Sequence, residues 1–283
     1  MQYKFTIFTP CYNAENTIHR VFQSVEGQTY DNFEWIIIND GSIDGSDNVI
    51  RELIKLSPIS DKIKYFVQQN MGKHLAWNKA LDFATGELFL SADADDTFIP
   101  ETLAYFNDKI NDVIGEDERL SESSFSGINV CCYDPENGKR IGSIYPYDGI
   151  VSDNIELKYK YKISGEHWGV VRTDLLRRNK FPEGKGHFWT EGRIWFSFAM
   201  QGFKVVCFND CLRARYTETT SLTHNKRYRY NKEIQEMYLQ NNLWVIKHCG
   251  SQIFKYSKKG YFVLCKNIAS KFVKYIIASA LRK

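Results

Sequence analysis

Two glycine-rich phosphate-binding motifs are missing from this sequence of 283 residues. Neither the Gly-x-Gly-x-x-Gly pattern of dinucleotide-binding proteins nor the Gly-x-x-x-x-Gly-Lys-Ser/Thr pattern of P-loop proteins occurs. No uncharged apolar run reaches the roughly 20 residues that a membrane-spanning helix needs. The sequence therefore argues against a Rossmann dehydrogenase, a P-loop enzyme and an integral membrane protein.

The cysteines also lack a pattern. Seven is an odd number, Cys131 and Cys132 are adjacent, and Cys207 and Cys211 have no second pair to complete a zinc site. Free thiols in a reducing compartment fit this arrangement better than a disulfide framework does. The first residues, 1–4, lead directly into a β-type run and carry no signal-peptide pattern, so we expect a cytoplasmic protein.

Acidic residues are absent from Ser251 to Lys283, a segment with eight Lys or Arg. The rest of the chain therefore has a net charge of −5, and the total of +3 gives no general nucleic-acid signature. Apolar residues at four-residue steps from Leu264 to Ala280 predict a basic amphipathic helix suited to an anionic membrane surface. The alternatives are a helix packed on its own domain or on a partner. The expected location is the cytoplasm, peripheral to the inner face of the cell membrane.

What the sequence does contain is a repeated β-then-α pattern. Short apolar runs predict strands at 4–9, 34–39, 62–67, 87–90, 125–133, 167–171 and 203–209. Helical spacing predicts helices at 17–28, 46–56, 75–84, 100–114 and 190–200, and towards the C-terminus. Such repeats build an α/β fold with a Rossmann-like, doubly wound, mostly parallel sheet, here followed by a C-terminal helical extension.

Polar residues follow four successive predicted strands. They are Tyr12, Asp40, Asn70 with Lys73, and the segment Asp93-Ala94-Asp95-Asp96. Because ligands of such sheets bind beyond the carboxyl ends of the strands, we expect these residues to line one crevice. Three carboxylates within four residues repel one another unless a positive charge lies among them, and a hard divalent cation is a common solution. An acidic turn exposed to solvent is the alternative.

The order of these motifs resembles that of family 2 glycosyltransferases, which have the GT-A fold. The motifs are Thr9-Pro10-Cys11-Tyr12-Asn13, Asn39 to Ser46, Asn70-Met71-Gly72-Lys73 and Asp93 to Asp96. The resemblance is strong over about the first hundred residues and continues more thinly from Thr190 to Ser221. It implies a nucleotide-sugar donor, with UDP the commonest nucleotide in the family, a Mn²⁺ or Mg²⁺ ion, and transfer of one sugar with inversion at the anomeric carbon.

The resemblance also implies residues that bind the donor. Tyr12 would lie against the base, Asp40 would accept a hydrogen bond from the base, and Lys73 would help hold the nucleotide. Each has a local alternative: surface packing for Tyr12, a turn cap for Asp40 and a solvated charge for Lys73. The remaining residues expected around the nucleotide are Thr9, Pro10, Glu15 and Asn70.

The acidic segment would hold the metal ion. By the resemblance, Asp96 would be the direct metal ligand, Asp95 would face the metal or the ribose, and Asp93 would support the segment beside the donor. Arg215 would close over the diphosphate, and His224 is a further candidate metal ligand.

Inversion needs a base that takes the proton of the acceptor hydroxyl. In many family members this base belongs to a Glu-Asp pair before a helix, and the matching place here reads Glu191-Gly192, without the second carboxylate. Glu191 is therefore the candidate base, with Asp174 or Glu166 as alternatives. In that case Glu191 would only be a favourable charge at a helix N-terminus. Arg193 would orient Glu191 or contact a phosphate.

These expectations combine into one functional hypothesis. A GT-A catalytic domain at 1–222, with a nucleotide-sugar half at 1–115 and an acceptor half at 116–222, would precede a basic helical extension at 223–283. It would transfer one sugar to a hydroxyl of a glycan or lipid-linked acceptor in cell-surface polysaccharide synthesis. A catalytically silent nucleotide-sugar-binding or scaffolding protein is the alternative, because Gly192 replaces a carboxylate. A nucleotidyltransferase is less favoured, since no Gly/Arg-rich loop follows the first strand.

Overall fold

The computed structural model describes residues 1–114, 121–183, 190–216 and 231–280. The first part of the chain comprises β1 (Phe5–Cys11), α1 (Ile18–Glu26), β2 (Phe33–Asn39), α2 (Ser46–Leu56), a 3₁₀ turn (Ser60–Lys62), β3 (Ile63–Val67), α3 (Lys73–Phe83), β4 (Leu88–Ser91), β5 (Thr97–Phe98) and α4 (Thr102–Val113). The second part comprises β6 (Phe125–Tyr133), β7 (Arg140–Ile141), β8 (Ile150–Ser152), α5 (Asn154–Tyr159), β9 (His167–Arg172), α6 (Thr173–Arg178), α7 (Gly192–Met200), β10 (Lys204–Ala214), α8 (Lys232–Tyr256) and α9 (Lys258–Ala280).

The strands form a single mixed sheet in the order β3-β2-β1-β4-β9-β6-β10-β5. Strands β3, β2, β1 and β4 are parallel, and β6 is parallel to β10. Strand β9 lies between β4 and β6 and is antiparallel to both, so β6 and β10 run in the same direction as the first four strands. The predicted α/β, mostly parallel sheet with a helical C-terminal extension is confirmed. One edge of this sheet receives the carboxyl ends of six strands.

Helices cover both faces of the sheet, because its central strands are apolar on both sides. Every residue of β2 is buried. On one face, Phe22 of α1 packs against Trp35 of β2 with ring centroids 4.4 Å apart. On the other face, Trp77 of α3 packs against Phe89 of β4 at 5.1 Å. Apolar burial on both faces is what holds a parallel sheet of this kind together.

The first strand is longer than the sequence predicts. Expected to stop before Pro10, it continues to Cys11, with Pro10 opposite Ile38 of β2. Phe8 accepts a hydrogen bond from Ala92, so Phe8 and Pro10, two residues apart, face the side of β4. Strand β4 ends at Ser91, opposite Phe8, so no residue of β4 lies beside Pro10. The missing N–H of Pro10 therefore costs no hydrogen bond of the β1–β4 pair.

The C-terminal helices α8 and α9 pack on each other, and α8 also packs on α5 and α7. Their shared apolar cluster includes Phe196 of α7, Cys249 and Ile253 of α8, and Leu264 of α9. The extension is therefore docked on the sheet domain, as one of the sequence alternatives expects. The predicted boundary between 222 and 223 falls outside the described residues. Within the described residues, no helix is long and apolar enough to cross a membrane.

Candidate active site

The loops after β1 and β2 are joined by hydrogen bonds. The Oδ1 atom of Asn13 accepts from the Ile43 amide at 2.9 Å, and the Ser46 hydroxyl accepts from the Ala14 amide at 2.8 Å. Glu15 Oε2 accepts from the Gly45 amide at 3.0 Å. Glu15 thus links the loops after β1 and β2, next to the expected nucleotide position.

Asp40 fixes the loop after β3. Its side chain is buried and accepts three hydrogen bonds, from Gln68 Nε2 at 2.7 Å, from the Met71 amide at 2.9 Å and from the Gly72 amide at 2.7 Å. A carboxylate offers about four acceptor positions, so one remains for a ligand. Gly41 has a φ of +70°, and a Cβ there would lie 2.7 Å from the amide nitrogen of Asn70, so this close approach of two loops needs glycine.

The residues after β1 divide between the crevice and the core. Tyr12 is 46 % exposed at the end of the strand, and Asn70 is exposed on the neighbouring loop. Thr9, in contrast, is fully buried and its hydroxyl accepts from Trp35 Nε1 at 3.0 Å. The Thr9 hydroxyl is therefore used inside the core and does not line the crevice. Pro10 lies between Thr9 and the crevice, partly exposed.

A row of alternating charges forms where β4, β10, α3 and α7 meet. Glu191 Oε1 lies 3.4 Å from Lys73 Nζ, which lies 2.8 Å from Asp93 Oδ1. The other oxygen of Asp93 is 2.9 Å from an Arg213 guanidinium nitrogen, and that nitrogen also contacts Asp96 Oδ2. Four of the five members were predicted to belong to the site: Glu191, Lys73, Asp93 and Asp96. The structure brings them together across 118 residues of chain.

Burial and neighbouring charges oppose each other in this row. Burial disfavours the ionised form of Asp93, but the charges of Lys73 and Arg213 outweigh it and hold the pKa of Asp93 well below its usual range. Burial disfavours the charged form of Lys73, but Asp93 and Glu191 outweigh it and raise the Lys73 pKa. Lys73 keeps 44 % of its side-chain surface accessible although protein surrounds it, because it faces a cavity.

Arg213 is the residue that sequence reasoning missed. It is 5 % exposed on β10 and supplies the positive charge between Asp93 and Asp96 that the sequence had assigned to a cation. A usable signal was present: Arg213 interrupts the otherwise apolar end of a buried strand, and a buried guanidinium needs an acidic partner. The guanidinium carbon of Arg213 lies 5.7 Å from the centroid of the Trp168 ring, and the Trp168 indole N–H donates to the Ser91 carbonyl.

Asp96 and Asp95 have different environments. One Asp96 oxygen contacts Arg213 and the other accepts from the Tyr216 amide at 3.1 Å, so Arg213 competes with the metal ion that Asp96 is predicted to bind, and its role as direct ligand stays a prediction. Burial raises the pKa of Asp96 to about 6, against the opposing effect of Arg213. Asp95 has no such contact with a described cation, and burial together with the charge of Asp93 raises its pKa. An ionised Asp95 would therefore gain from a nearby cation.

The side chains at this site could supply only part of the ligand shell of a divalent metal ion. Among the described residues, no group of three or more His, Cys, Asp or Glu is arranged to hold a metal. Asp95 offers a carboxylate without a described cationic partner, and Mg²⁺ often binds through one or two carboxylates with substrate phosphate and water completing its shell. His224, the further candidate ligand, lies outside the described residues. The residues present thus fit a substrate-bridged ion held by Asp95.

The alternative bases have different positions. Glu166 is on the wall of the cavity and pairs with Arg215 at 3.7 Å, so both predicted residues are near the site. Asp174 pairs with Arg172 and Arg178 at the start of α6. Because β9 is antiparallel to β4, the residues after it lie at the opposite edge of the sheet, and Asp174 as base is therefore wrong. Glu191 remains at the cavity, 42 % exposed.

A cavity of about 490 Å³ adjoins the charge row. It is bounded by the sheet and by α5, α7 and α8. Its wall includes Lys73, Asp93, Glu191 and Arg213, and Gly192 lies beside Glu191 on the same wall. A Cβ at Gly192 would meet no atom of the described residues within 4 Å, so a longer side chain has room beside them. The volume is within the usual range for a small-molecule site.

Comparison with known sequences places this site in a family. The description "Glycosyl transferase family 2" matches residues 6–113. An uncharacterized glycosyltransferase of Rickettsia bellii is 36 % identical over 252 residues, 86 % of this chain and 33 % of that protein. The GalNAc(5)-diNAcBac-PP-undecaprenol beta-1,3-glucosyltransferase of Campylobacter jejuni is 25 % identical over 197 residues, 68 % of this chain and 58 % of that protein. The chain spans between 13 % and 65 % of the length of the first curated relatives it matches.

Two solved structures share the fold. S. aureus TarS 1-349 in complex with UDP-GlcNAc has a TM-score of 0.64 and 20 % identity, covering 97 % of this chain and 79 % of TarS 1-349. Mannosyltransferase PcManGT from Pyrobaculum calidifontis, in complex with GDP-Man and Mn²⁺, has a TM-score of 0.62 and 17 % identity, covering 99 % of this chain and 79 % of PcManGT. Together with the motifs and the sheet, these matches identify the chain as a member of glycosyl transferase family 2 with the GT-A fold.

Proposed function

We propose that this protein transfers one sugar from a nucleotide-sugar donor to a hydroxyl of an acceptor, with inversion at the anomeric carbon. The observation that carries the proposal is the charge row from Glu191 through Lys73 and Asp93 to Arg213. This row lies at the sheet edge, between the cavity and the loops after β1, β2 and β3, which we call the nucleotide loops. A fixed row of this kind can position a charged donor and stabilise the charge that develops on its leaving group. We further propose residues 1–222 as the catalytic domain and 223–283 as its extension.

The donor would bind across the loops after β1, β2 and β3. The remaining acceptor position of Asp40 suits a base N–H, and exposed Tyr12 offers a ring against the base. Lys73 and Arg215 would interact with the diphosphate, each from the cavity side of the loops. UDP is proposed as the nucleotide from its frequency in the family. It is also the nucleotide named for TarS, whereas GDP is named for PcManGT.

Asp95 would hold a Mn²⁺ or Mg²⁺ ion against the donor diphosphate. When bound, such an ion neutralises the negative charge that develops on the leaving diphosphate. The contribution of this chain is to leave Asp95 without a described cationic partner, while Lys73 and Arg213 together balance Asp93 and Asp96. The Mn²⁺ complex of PcManGT supports this choice of cofactor by analogy.

Glu191 would take the proton from the acceptor hydroxyl. It lies on the cavity wall, and its contact with Lys73 at 3.4 Å orients the carboxylate. We expect Glu191→Gln to reduce turnover by about 10²–10⁴-fold while donor affinity stays unchanged. Glu166→Gln is the matched control, because Glu166 lines the same cavity. A larger loss in Glu166→Gln than in Glu191→Gln would transfer the role of base to Glu166.

The acceptor is proposed to be a glycan or a lipid-linked sugar at an anionic membrane surface. Helix α9 exposes Phe262, Phe272, Ile276 and Ile277 in a segment without acidic residues. Such a surface suits contact with anionic lipid headgroups. The Campylobacter jejuni relative, whose name includes PP-undecaprenol, supports a lipid-linked acceptor.

Sedimentation with liposomes tests the membrane contact. We expect the protein to bind liposomes containing an anionic phospholipid better than neutral ones, and Phe272→Ser with Ile276→Ser to weaken this binding. Leu243→Ser is the matched control, since Leu243 is an exposed apolar residue of α8. Equal binding of the double variant and the wild-type protein would refute a membrane role for α9.

A catalytically silent nucleotide-sugar-binding protein is the second candidate. It is favoured by Gly192, which stands where a carboxylate is common in the family and has open space around it. A panel of UDP-, GDP- and dTDP-sugars, tested for binding by thermal shift and for turnover with Mn²⁺, separates the two candidates. Binding without turnover, followed by gain of turnover in Gly192→Asp, would support the silent protein. Turnover by the wild-type chain would refute it.

A further inference from the structure

The C-terminal extension completes the cavity beside the charge row. Helix α8 contributes Asn241, Asn242 and Val245 to its wall. Asn241 Nδ2 lies 3.3 Å from the Thr190 hydroxyl, and Thr190 immediately precedes Glu191. The extension therefore both closes the cavity and contacts the segment that carries the proposed base.

Polar atoms without partners are concentrated on this wall. In the described part of the chain, Trp77 Nε1, Ser91 Oγ, Arg213 Nε and Asn241 Oδ1 are buried without a hydrogen-bond partner, and all four residues line the cavity. Trp77, Arg213 and Asn241 are each less than 7 % exposed. Buried polar groups are normally paired, so these atoms leave hydrogen-bonding capacity in the wall that no described side chain uses.

Lys158 of α5 gives the cavity an unbalanced charge. The wall carries four basic residues and three acidic ones. Lys73 and Arg213 are paired with carboxylates, whereas no described acidic side chain lies within ion-pair distance of Lys158. The rings of Phe196 at 5.4 Å and Tyr159 at 5.8 Å are its neighbours. The Lys158 side chain is exposed, although desolvation by the protein around it lowers its pKa.

We infer that this cavity binds the acceptor sugar, and that the acceptor carries an acidic group, a carboxylate or a phosphate, which pairs with Lys158. The inference rests on the proposed glycosyl transfer. Glu191, the proposed base, lies on the cavity wall, and the acceptor must bind beside the base. Sugar hydroxyls would pair with accessible polar side chains of the wall, such as Asn154, Ser164 and Asn242. The acidic group would occupy the end of the cavity formed by α5, where it supplies the missing counter-charge.

Sugar probes that need no donor test this directly. Methyl β-glucuronide, glucose 6-phosphate and neutral methyl β-glucoside are titrated against the full chain. Tryptophan fluorescence reports binding, because Trp77, Trp168 and Trp195 line the cavity. We expect one acidic probe or both to bind about tenfold more tightly than the neutral probe, as charge-assisted hydrogen bonds allow. The tighter acidic probe identifies the acidic group as carboxylate or phosphate.

Two lysine variants separate contact from general charge. Lys158→Gln should lose the tenfold preference and keep the affinity for the neutral probe. Lys160→Gln is the matched control on the same helix, since Lys160 pairs with Glu156 and is not on the cavity wall. It should keep the preference. Equal affinity for acidic and neutral probes in the wild-type protein, or equal losses in the two variants, would overturn the inference.

The donor experiments remain independent of this test. Nucleotide-sugar titrations on the same two variants should give the wild-type affinity, because Lys158 lies away from the nucleotide loops. If the wild-type protein prefers acidic probes but turns over no donor with any acceptor, the cavity is an acid-sugar site and the proposed transfer fails. If transfer occurs while the acidic preference is absent, the inference fails and the proposed function stands.

Discussion

Glu34 is a buried carboxylate at the sheet edge opposite the charge row, and its removal has a predictable cost. The side chain is 7 % exposed. Its Oε1 atom accepts from the Thr6 hydroxyl at 2.7 Å, from the Gly86 amide at 3.3 Å and from the Thr85 amide. Its Oε2 atom lies 2.7 Å from Lys64 Nζ. One carboxylate thus joins β1, β2, β3 and the turn before β4.

The magnitude follows from the pKa of this group. Burial raises the pKa of Glu34, but the hydrogen bonds from Lys64, Thr85 and Thr6 outweigh it and lower the pKa from 4.5 to about 2. At about 1.4 kcal/mol per unit, the ionised group contributes about 3 kcal/mol to the free energy of unfolding. Glu34→Gln keeps an acceptor oxygen but loses the charge, so we expect the variant to lose about 2–3 kcal/mol at pH 7.

The loss depends on pH in a definite direction. Because the folded-state pKa of Glu34 lies below the unfolded-state value, its stabilisation is complete above about pH 4.5 and is lost as the pH falls towards about 2. The difference in unfolding free energy between the wild-type protein and Glu34→Gln should therefore stay constant from about pH 7 to pH 5.5 and shrink at about pH 4 and pH 3. Urea unfolding followed by far-ultraviolet circular dichroism measures it.

Glu87→Gln is the matched control. Glu87 is an exposed carboxylate at the same edge and accepts from the Lys4 amide at 3.1 Å. We expect its substitution to change the free energy of unfolding by about 0.5 kcal/mol or less. A loss below about 0.5 kcal/mol in Glu34→Gln, or a loss that does not change between pH 7 and pH 3, would refute the reasoning.

Three further predictions concern the site. Arg213→Met should lower the free energy of unfolding by about 3–5 kcal/mol, because it leaves buried Asp96 without its cation; a thermal denaturation curve like that of the wild-type protein would contradict this. Gly41→Ala should lower the melting temperature and weaken nucleotide binding, because a Cβ at φ +70° would lie 2.7 Å from the Asn70 amide nitrogen. Calorimetry measures the melting temperature and thermal shift measures nucleotide binding. Unchanged values for the variant would refute this prediction. Asp95→Asn should abolish the stabilisation of nucleotide binding by Mn²⁺, measured by titration calorimetry, while metal-free binding persists; an unchanged Mn²⁺ effect would exclude Asp95 as ligand.

The sequence predicted which strand ends carry the polar residues of the candidate site. The β-then-α repeats placed Asp40, Lys73 and Asp93 after successive strands, and parallel strands bring such residues to one edge. It did not predict that the Thr9 hydroxyl is buried or that Arg213 lies against Asp96. Both features depend on which face of a loop or strand a side chain occupies, and neighbours that are remote in sequence decide this.

The sequence by itself determined the element order, the sheet class and the acidic segment, because apolar periodicity and turn residues are local signals. Only the tertiary structure decided how the charges of that segment are neutralised and what closes the cavity. Arg213 reaches Asp93 across 120 residues of chain, because β10 pairs beside β6, and α8 docks on α5 and α7 to put Asn241 next to Thr190. The antiparallel direction of β9 likewise removes Asp174 from the site. These outcomes depend on strand order and helix docking, which burial of the whole apolar surface selects and no local pattern specifies.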